Sequence, residues 1–309
     1  MKLFKPKFWD KKIGLISVLL FPLSLITVLI VFIKKRFIKK NIFNIPIICV
    51  GNIYVGGTGK TPTSILLANE ITKLDKKPVI LRKFYRNHQD EYELIKNSFK
   101  SFISSKNRFE AIKKIEDSEF NVVILDDGLQ DYRIKKNLNI VCFNQNQLVG
   151  NGLILPSGPL RESLSSLKDV EIVIINGTKN KDFEDKILNI NKNLKVFYSY
   201  YKPINLDDFK NKKLFALAGI GNPENFFQLI EENNLKIMKK FIYPDHYKFS
   251  INEIQDIMKE AENDKAEIIM TEKDYYKLKN FKLNKLNFLK VSLEIVQKNE
   301  LLKIIKKKI

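Results

Sequence analysis

Gly59-Lys60-Thr61 stands at the end of a glycine-rich turn, and residues of these types in this order can hold a polyphosphate. The turn begins at Gly51 and passes through Gly56, Gly57 and Thr58. Its glycines let backbone N–H groups turn inward around phosphate oxygens, and a helix starting beyond it points its positive end at the same anion. In such a loop Lys60 reaches the β- and γ-phosphates and the Thr61 hydroxyl reaches a magnesium ion. The common spacing places another glycine five residues before Gly59, where this chain has Tyr54. The bland alternative is a glycine-lysine-threonine in a surface turn. A second chemical signal is the apolar run Val122-Val123-Ile124-Leu125 ending in Asp126-Asp127-Gly128. Carboxylates at the end of a strand beside a phosphate loop can hold magnesium or its waters; alone, the same residues read as a strand closing in an Asp-Gly turn.

Elements must place these residues. Ile45-Pro46-Ile47-Ile48-Cys49-Val50, directly before the turn, is a short continuous apolar run of the kind a strand buried on both faces requires. Similar runs near 78–81, 121–125, 138–143 and 170–175 alternate with helical stretches, which argues for a mostly parallel sheet covered by helices. Runs near 214–218, 237–242, 267–271 and 288–293, separated by helical patterns over 222–232 and 251–263, suggest a second, smaller α/β domain. The expected organisation is an anchoring segment over 1–40, a phosphate-loop domain over 41–205 and the smaller domain over 206–309. The fold class is α/β, P-loop NTPase-like, with an N-terminal membrane helix. Gly219-Ile220-Gly221 has no third glycine for a dinucleotide fingerprint and reads as a strand-to-helix turn.

The chain has 309 residues, 44% of them hydrophobic and 29% charged, a composition that excludes wholesale disorder and a polytopic membrane protein. Cys49 and Cys142 lie far apart in apolar runs, so neither a disulfide framework nor a zinc site is indicated, and a reducing cytoplasmic setting fits. The net charge is +19, and about half of it sits in residues 1–40. Such an excess suits nucleic acid, an anionic membrane or phosphorylated substrates, and a lysine-rich composition also produces it with no partner. Residues 13–33 carry no charge, and a helix of that length matches the roughly 30 Å thickness of bilayer hydrocarbon. Lysines flank it on both sides, so charge counting leaves its orientation open. Pro22 permits a kinked helix lying in one leaflet, and the bland alternative is a buried helix capping the first domain.

The glycine turn followed by Asp126-Asp127-Gly128-Leu129-Gln130 resembles the tetraacyldisaccharide 4′-kinase (lipid A 4′-kinase) family. Further blocks agree in order: Gly158-Pro159-Leu160-Arg161-Glu162, Tyr243-Pro244-Asp245-His246-Tyr247 and Thr271-Glu272-Lys273-Asp274. The resemblance spans nearly the whole chain. It implies transfer of the ATP γ-phosphate, with Mg²⁺, to the 4′-hydroxyl of a tetraacyldisaccharide 1-phosphate at the cytoplasmic face of the inner membrane, giving lipid IVA. By resemblance Asp90 is the base and His246 its orienting partner, with Gly56, Gly57, Thr58, Gly59, Lys60 and Thr61 binding nucleotide. Thr61, Asp126 and Asp127 bind the metal, and Arg161 and Gln130 contact the acceptor.

The family's Gly-Asp-Glu-Pro block appears here as Gln89-Asp90-Glu91-Tyr92, and its Ser-Arg-Gly-Tyr-Gly as Arg82-Lys83-Phe84-Tyr85-Arg86. Asp131 stands where the family has a histidine. His88, the only histidine besides His246, is a rival partner for Asp90. With Asp90 in the first domain and His246 in the second, the two are expected to meet only when the halves close. The partners implied are the glycolipid and the membrane surface, with no nucleic acid and a monomeric chain. A membrane-bound nucleotide switch or partition-type ATPase would explain loop and anchor but leave Asp90, Arg161 and His246 without work.

Overall fold

The computed structural model describes residues 5–309, so the first four residues of the expected 1–40 anchor lie outside the described residues. In chain order, α1 (Leu15–Phe37) precedes β1 (Ile47–Gly51), α2 (Lys60–Thr72), β2 (Pro78–Lys83), α3 (Gln89–Ser98), β3 (Phe102–Ser105), α4 (Arg108–Glu116) and β4 (Val122–Asp126). Then come β5 (Leu138–Asn144), β6 (Ile172–Asn176), α5 (Lys181–Ile190), β7 (Lys195–Pro203), β8 (Lys213–Ala218), α6 (Pro223–Glu232) and β9 (Lys236–Ile242). The chain ends with α7 (Ile251–Asn263), β10 (Ala266–Thr271), α8 (Glu272–Leu278), β11 (Leu286–Leu289), β12 (Val291–Ile295) and α9 (Lys298–Lys306). The elements form two compact units. The larger comprises Pro6–Phe84, Phe99–Tyr200 and Leu293–Ile309; the smaller is mainly Tyr85–Ser98 and Tyr201–Ser292.

The larger unit is built on a sheet with strand order β12-β7-β6-β5-β1-β4-β2-β3. Its neighbours from β7 to β3 all pair in parallel. Every residue of β1, β4 and β6 is buried, as continuous apolar runs require when helices cover both faces of a sheet. β1 and β4 pair with Cys49 beside Leu125 and Val50 beside Asp126, which brings the glycine turn after β1 next to the carboxylates that end β4. A Cβ on Gly128 would come within 2.7 Å of Leu125 Cβ and 3.3 Å of Cys49 Sγ, so glycine there lets the two strand ends interlock.

α1 lies against this unit by a polar seam. Ser17 and Ser24, seven residues apart and so on one face, are its buried residues. Ser24 Oγ donates to Ile154 O at 2.8 Å, and Asn151 Nδ2 donates to Ser17 Oγ at 3.2 Å. The Ser157 amide in turn donates to Ser24 Oγ at 3.1 Å. The apolar side chains of α1 stay exposed, Leu15 at 75% and Leu19 at 69%, so it is not a buried capping helix. Among the described residues it is the one helix long and apolar enough to cross a membrane.

The smaller unit carries a four-stranded parallel sheet, order β11-β10-β8-β9. Alternate residues of β8 point to opposite faces: Leu214, Ala216 and Ala218 pack with Phe226, Phe227 and Ile230 of α6. Phe215 and Leu217 pack with Ile254 and Ile257 of α7. Ser250 and Glu253 form a capping box that starts α7.

The units depart from the two-block division at 205 in two places. Tyr85–Ser98, which contains α3, belongs to the smaller unit, and Leu293–Ile309 belongs to the larger. Asp90 and His246 therefore share one unit, and the expected closure of two domains is not what brings them together. The 288–293 run is not one strand but the end of β11 and the start of β12, which join different sheets.

Candidate active site

Two clusters carry the residues with chemistry. In the larger unit the turn after β1 is held from both sides. Val55 N donates to Pro159 O at 2.9 Å and Arg161 N to Ile53 O at 2.7 Å, pinning the loop to the Gly-Pro-Leu-Arg segment. Inside the loop Asn52 Nδ2 donates to Gly56 O at 3.2 Å and to Thr58 Oγ1 at 3.0 Å. Gly59 precedes α2 with a φ of 90°, a left-handed conformation that a side chain would strain. α2 starts at Lys60, so its N-terminal amides and positive dipole end face the turn.

The carboxylates of β4 meet that helix. Thr61 Oγ1 donates to Asp126 Oδ2 at 3.0 Å and Ser64 Oγ donates to Asp126 Oδ1 at 3.2 Å. Arg82, buried at the end of β2, donates to Thr61 Oγ1 at 3.0 Å and pairs with Asp126. Asp127 takes a left-handed φ of 56°, which turns its side chain to Arg161 at 3.0 Å and Lys60 at 3.9 Å. Arg108 Nη2 donates to the carbonyls of Asp126 and Asp127 at 2.9 and 2.8 Å. Burial alone raises the pKa of Asp127, but Lys60, Arg161, Arg82 and Arg108 outweigh it and hold the carboxyl down at about 2. Gln130 Nε2 donates to Asn52 O and to Glu162 Oε1, both at 3.0 Å, and Lys35 pairs with Glu162 at 2.6 Å. Lys60, Thr61, Asp126, Asp127, Gln130 and Arg161 are thus gathered in one place.

The second cluster lies in the smaller unit, where α3 packs on α8. Asp90, in the first turn of α3, is 5% exposed. His246 Nδ1 lies 3.3 Å from Asp90 Oδ2. Lys273 and Lys277, one turn apart on α8, bring their ammonium groups to 3.6 and 3.7 Å from the same oxygen. Neither oxygen of Asp90, nor His246 Nδ1, makes an aligned hydrogen bond. Burial pushes the pKa of Asp90 up, but His246, Lys273 and Lys277 prevail and keep it below the ordinary carboxylate value. Lys273 also pairs with Glu91 at 3.2 Å and Asp245 at 2.8 Å; burial lowers its pKa, and these acids with Asp90 drive it up overall. His246 has a left-handed φ of 55°, a conformation histidine adopts more readily than most residues and one that tends to occur at functional sites.

α8 is itself fixed by Asp274, a fully buried carboxylate. It accepts from Gly219 N at 2.8 Å, Thr271 Oγ1 at 2.6 Å and Lys277 Nζ at 2.7 Å. Gly219 stands in the turn after β8, as the strand-to-helix reading has it.

Sequence reasoning missed Ser64, Arg108 and Lys277 and gave Arg82 no partner. Arg82 had a findable signal, a charge at the end of a strand adjacent to β4. Lys277 had one as well, lying one helical turn beyond Lys273. Arg108 reaches its carbonyls only through the fold.

A glycine turn between a buried strand and a helix, with the neighbouring strand's carboxylate bonded to the helix's first threonine, defines a P-loop NTPase-like α/β protein. Comparison with known proteins narrows this. The family model for tetraacyldisaccharide-1-P 4′-kinase matches residues 16–309, and the chain belongs to that family of kinases. It is 42% identical to the tetraacyldisaccharide 4′-kinase of Pelagibacter ubique, an alignment covering 99% of this chain and 98% of that one. It is 33% identical to that of Francisella tularensis, covering 94% and 98%. The crystal structure of "apo" form LpxK from Aquifex aeolicus in complex with ATP superposes with a TM-score of 0.73 at 22% identity, covering 95% of this chain and 99% of that one. Family membership does not favour the nucleotide-switch alternative.

Proposed function

We propose that this chain transfers the γ-phosphate of ATP to the 4′-hydroxyl of a tetraacyldisaccharide 1-phosphate, with Asp90 accepting the hydroxyl proton. The carrying observation is the state of Asp90: a buried carboxylate whose two oxygens lack a hydrogen-bond donor, beside His246, Lys273 and Lys277. A buried acceptor without a donor is costly, and a substrate O–H would relieve it. The lysines keep Asp90 ionised, hence able to accept, but make it a weak base. Weak basicity suffices because phosphoryl transfer proceeds through a loose transition state in which positioning and charge neutralisation dominate. His246 orients the carboxylate and can share the proton.

The larger unit would hold the donor nucleotide. Backbone amides of the Gly56–Gly59 turn and the start of α2 suit the phosphates, and Lys60 suits the β- and γ-oxygens. Thr61, Asp126 and Asp127 present only oxygen donors, which fits a hard divalent cation such as Mg²⁺. When bound, that ion neutralises charge on the phosphate oxygens. Arg161 and Gln130, bonded to Asp127 and Glu162, would face the acceptor's sugar phosphate, where a guanidinium offers paired donors.

The exposed apolar surface of α1 and the basic residues of its last turn, Lys34 and Arg36, support seating on an anionic bilayer, at the cytoplasmic leaflet of the inner membrane where such an acceptor is made. Incubating the protein with γ-labelled ATP, magnesium and the disaccharide acceptor should place label in the lipid. The assignment of Asp90 fails if D90N transfers label at the parent rate. Deleting residues 1–33 should release the protein from membranes, and a full-length chain soluble without detergent or lipid would refute the anchor.

A further inference from the structure

The clearest feature that this reading leaves without work is His88. Its ring centroid lies 4.1 Å from that of His246 with 30° between the planes, and Tyr85 lies 5.0 Å from His88 at 36°. His88 Nδ1 is 3.0 Å from Glu91 Oε2, and His88 N donates to Tyr85 O at 3.2 Å where the chain enters α3. The three rings therefore form a series that ends on His246.

We propose that His88 is a positioning residue, its imidazole clamping the ring of His246 against Asp90. This rests on the assignment of Asp90 as base and His246 as its partner. His246 needs such a clamp. Its Nδ1 approaches Asp90 to 3.3 Å without an aligned hydrogen bond, so no directional bond sets the ring plane. Its side chain is 24% exposed and sits on a turn outside any helix or strand. A stacked neighbour restricts rotation of a ring about its own axis while leaving the ring edge, where the nitrogens are, open to Asp90. Glu91 in turn holds His88, and it reaches His246 Nε2 at 4.0 Å, so one carboxylate faces both imidazoles. Asp90 and Glu91 on α3, Asp245 on the turn and Lys273 on α8 are the other charges around the pair.

His88, Glu91 and His246 also bring three donor atoms within 4.8 Å of one another, the spacing of a metal site. The stack argues against that use. Lone pairs of imidazole nitrogens lie in the ring plane, and the two facing rings, 4.1 Å apart with 30° between their planes, confine them to two stacked planes instead of aiming them at a point between the rings. A metal at about 2.0–2.1 Å from both nitrogens would sit out of both planes. Lys273 already places a cation 3.2 Å from Glu91.

The test is a series at His88 in the full-length protein. H88A should lower kcat about tenfold with KM for nucleotide and acceptor unchanged, since the group lost positions another. H88F, which keeps a flat ring but no nitrogen, should restore kcat to within about twofold, and H88N, which can bond Glu91 but cannot stack, should not. The chain's two histidines make the spectroscopic readout simple: in each variant one imidazole remains, and its carbon-bound protons should be shielded in H88F and move downfield in H88A. Full kcat in H88A, or an H88F no better than H88A, overturns the clamp. So does micromolar zinc shifting both imidazoles of the parent protein together, which would make the trio a metal site. The shielding is read without turnover, so a stacked His246 in a protein whose D90N variant stays active would count against the base and not against the clamp.

Discussion

The two clusters treat their carboxylates in opposite ways. Around the phosphate loop each acid is surrounded by donors: Asp126 receives Thr61, Ser64 and Arg82, and Asp127 lies between Lys60 and Arg161. In the smaller unit Asp90 is as deeply buried, yet its oxygens have cations nearby and no aligned hydrogen bond. On the assignment proposed above, the difference follows from what each cluster would take. A polyphosphate would arrive with its charge, which suits a frame of cations, amides and satisfied acids. A hydroxyl would arrive neutral and give up a proton, which suits an acceptor left open at a cost of about 1–3 kcal/mol in the resting protein.

The contrast breaks first at Asp90. D90N removes the acceptor charge and should lower phosphoryl transfer about a thousandfold while nucleotide affinity stays within about twofold, as single-turnover kinetics and a nucleotide titration would reveal. Comparable losses in both would mean that Asp90 belongs to the donor frame. Next is Asp274, the buried acid of the smaller unit that does have donors. D274A strands Gly219 N and takes from Lys277 its nearest carboxylate, and should cost about 3 kcal/mol by denaturant unfolding. Nucleotide binding should survive where the units unfold separately.

Asp127 tests the donor frame through pH. Its folded pKa of about 2 lies below the ordinary 3.8, so its ion pairs add stability that is complete above about pH 4 and is lost as pH falls toward 2. The loss should be roughly 2 kcal/mol, seen as a flatter acid limb for D127N than for the parent in unfolding between pH 4 and 2. Equal limbs would show that the surrounding cations do not act on this acid. The smallest effect belongs to an ion pair outside either cluster: Lys285 and Glu262 are 3.0 Å apart but 75% and 60% exposed. K285A should change stability by less than about 0.5 kcal/mol in the same unfolding assay, and a larger change would make surface pairs too strong for the comparison to be read from burial.

Much of the larger unit was legible in the sequence because its signals are local. A strand buried on both faces must be a continuous apolar run, and β1, β4, β5 and β6 stand where such runs occur. The phosphate loop is likewise contiguous, so its residues could be named together. The smaller unit's cluster is assembled from residues 88–91, 245–246 and 273–277, and nothing local joins them. Resemblance to a family named Asp90 and His246. A single boundary at 205 left the first of these with the larger unit, whereas the contact of α3 with α8 groups it with the smaller. β3, four residues at a sheet edge and half exposed, has too short and too polar a pattern to announce itself. Lys277 and Asp274 carry ordinary helix-surface spacing, and only the turn at Gly219 gives them a shared partner.

The serine seam of α1 has a mechanical side. Ser24 grips Ile154 and Ser157, and a few residues further along the same stretch Pro159 and Arg161 grip the glycine turn. Fewer than ten residues of main chain therefore separate the long apolar rod from the amides that would cradle a nucleotide. The rod and the glycine turn thus share one short stretch of chain as their support, and a substitution that removes the serine seam takes a fastening from the segment that also holds the turn.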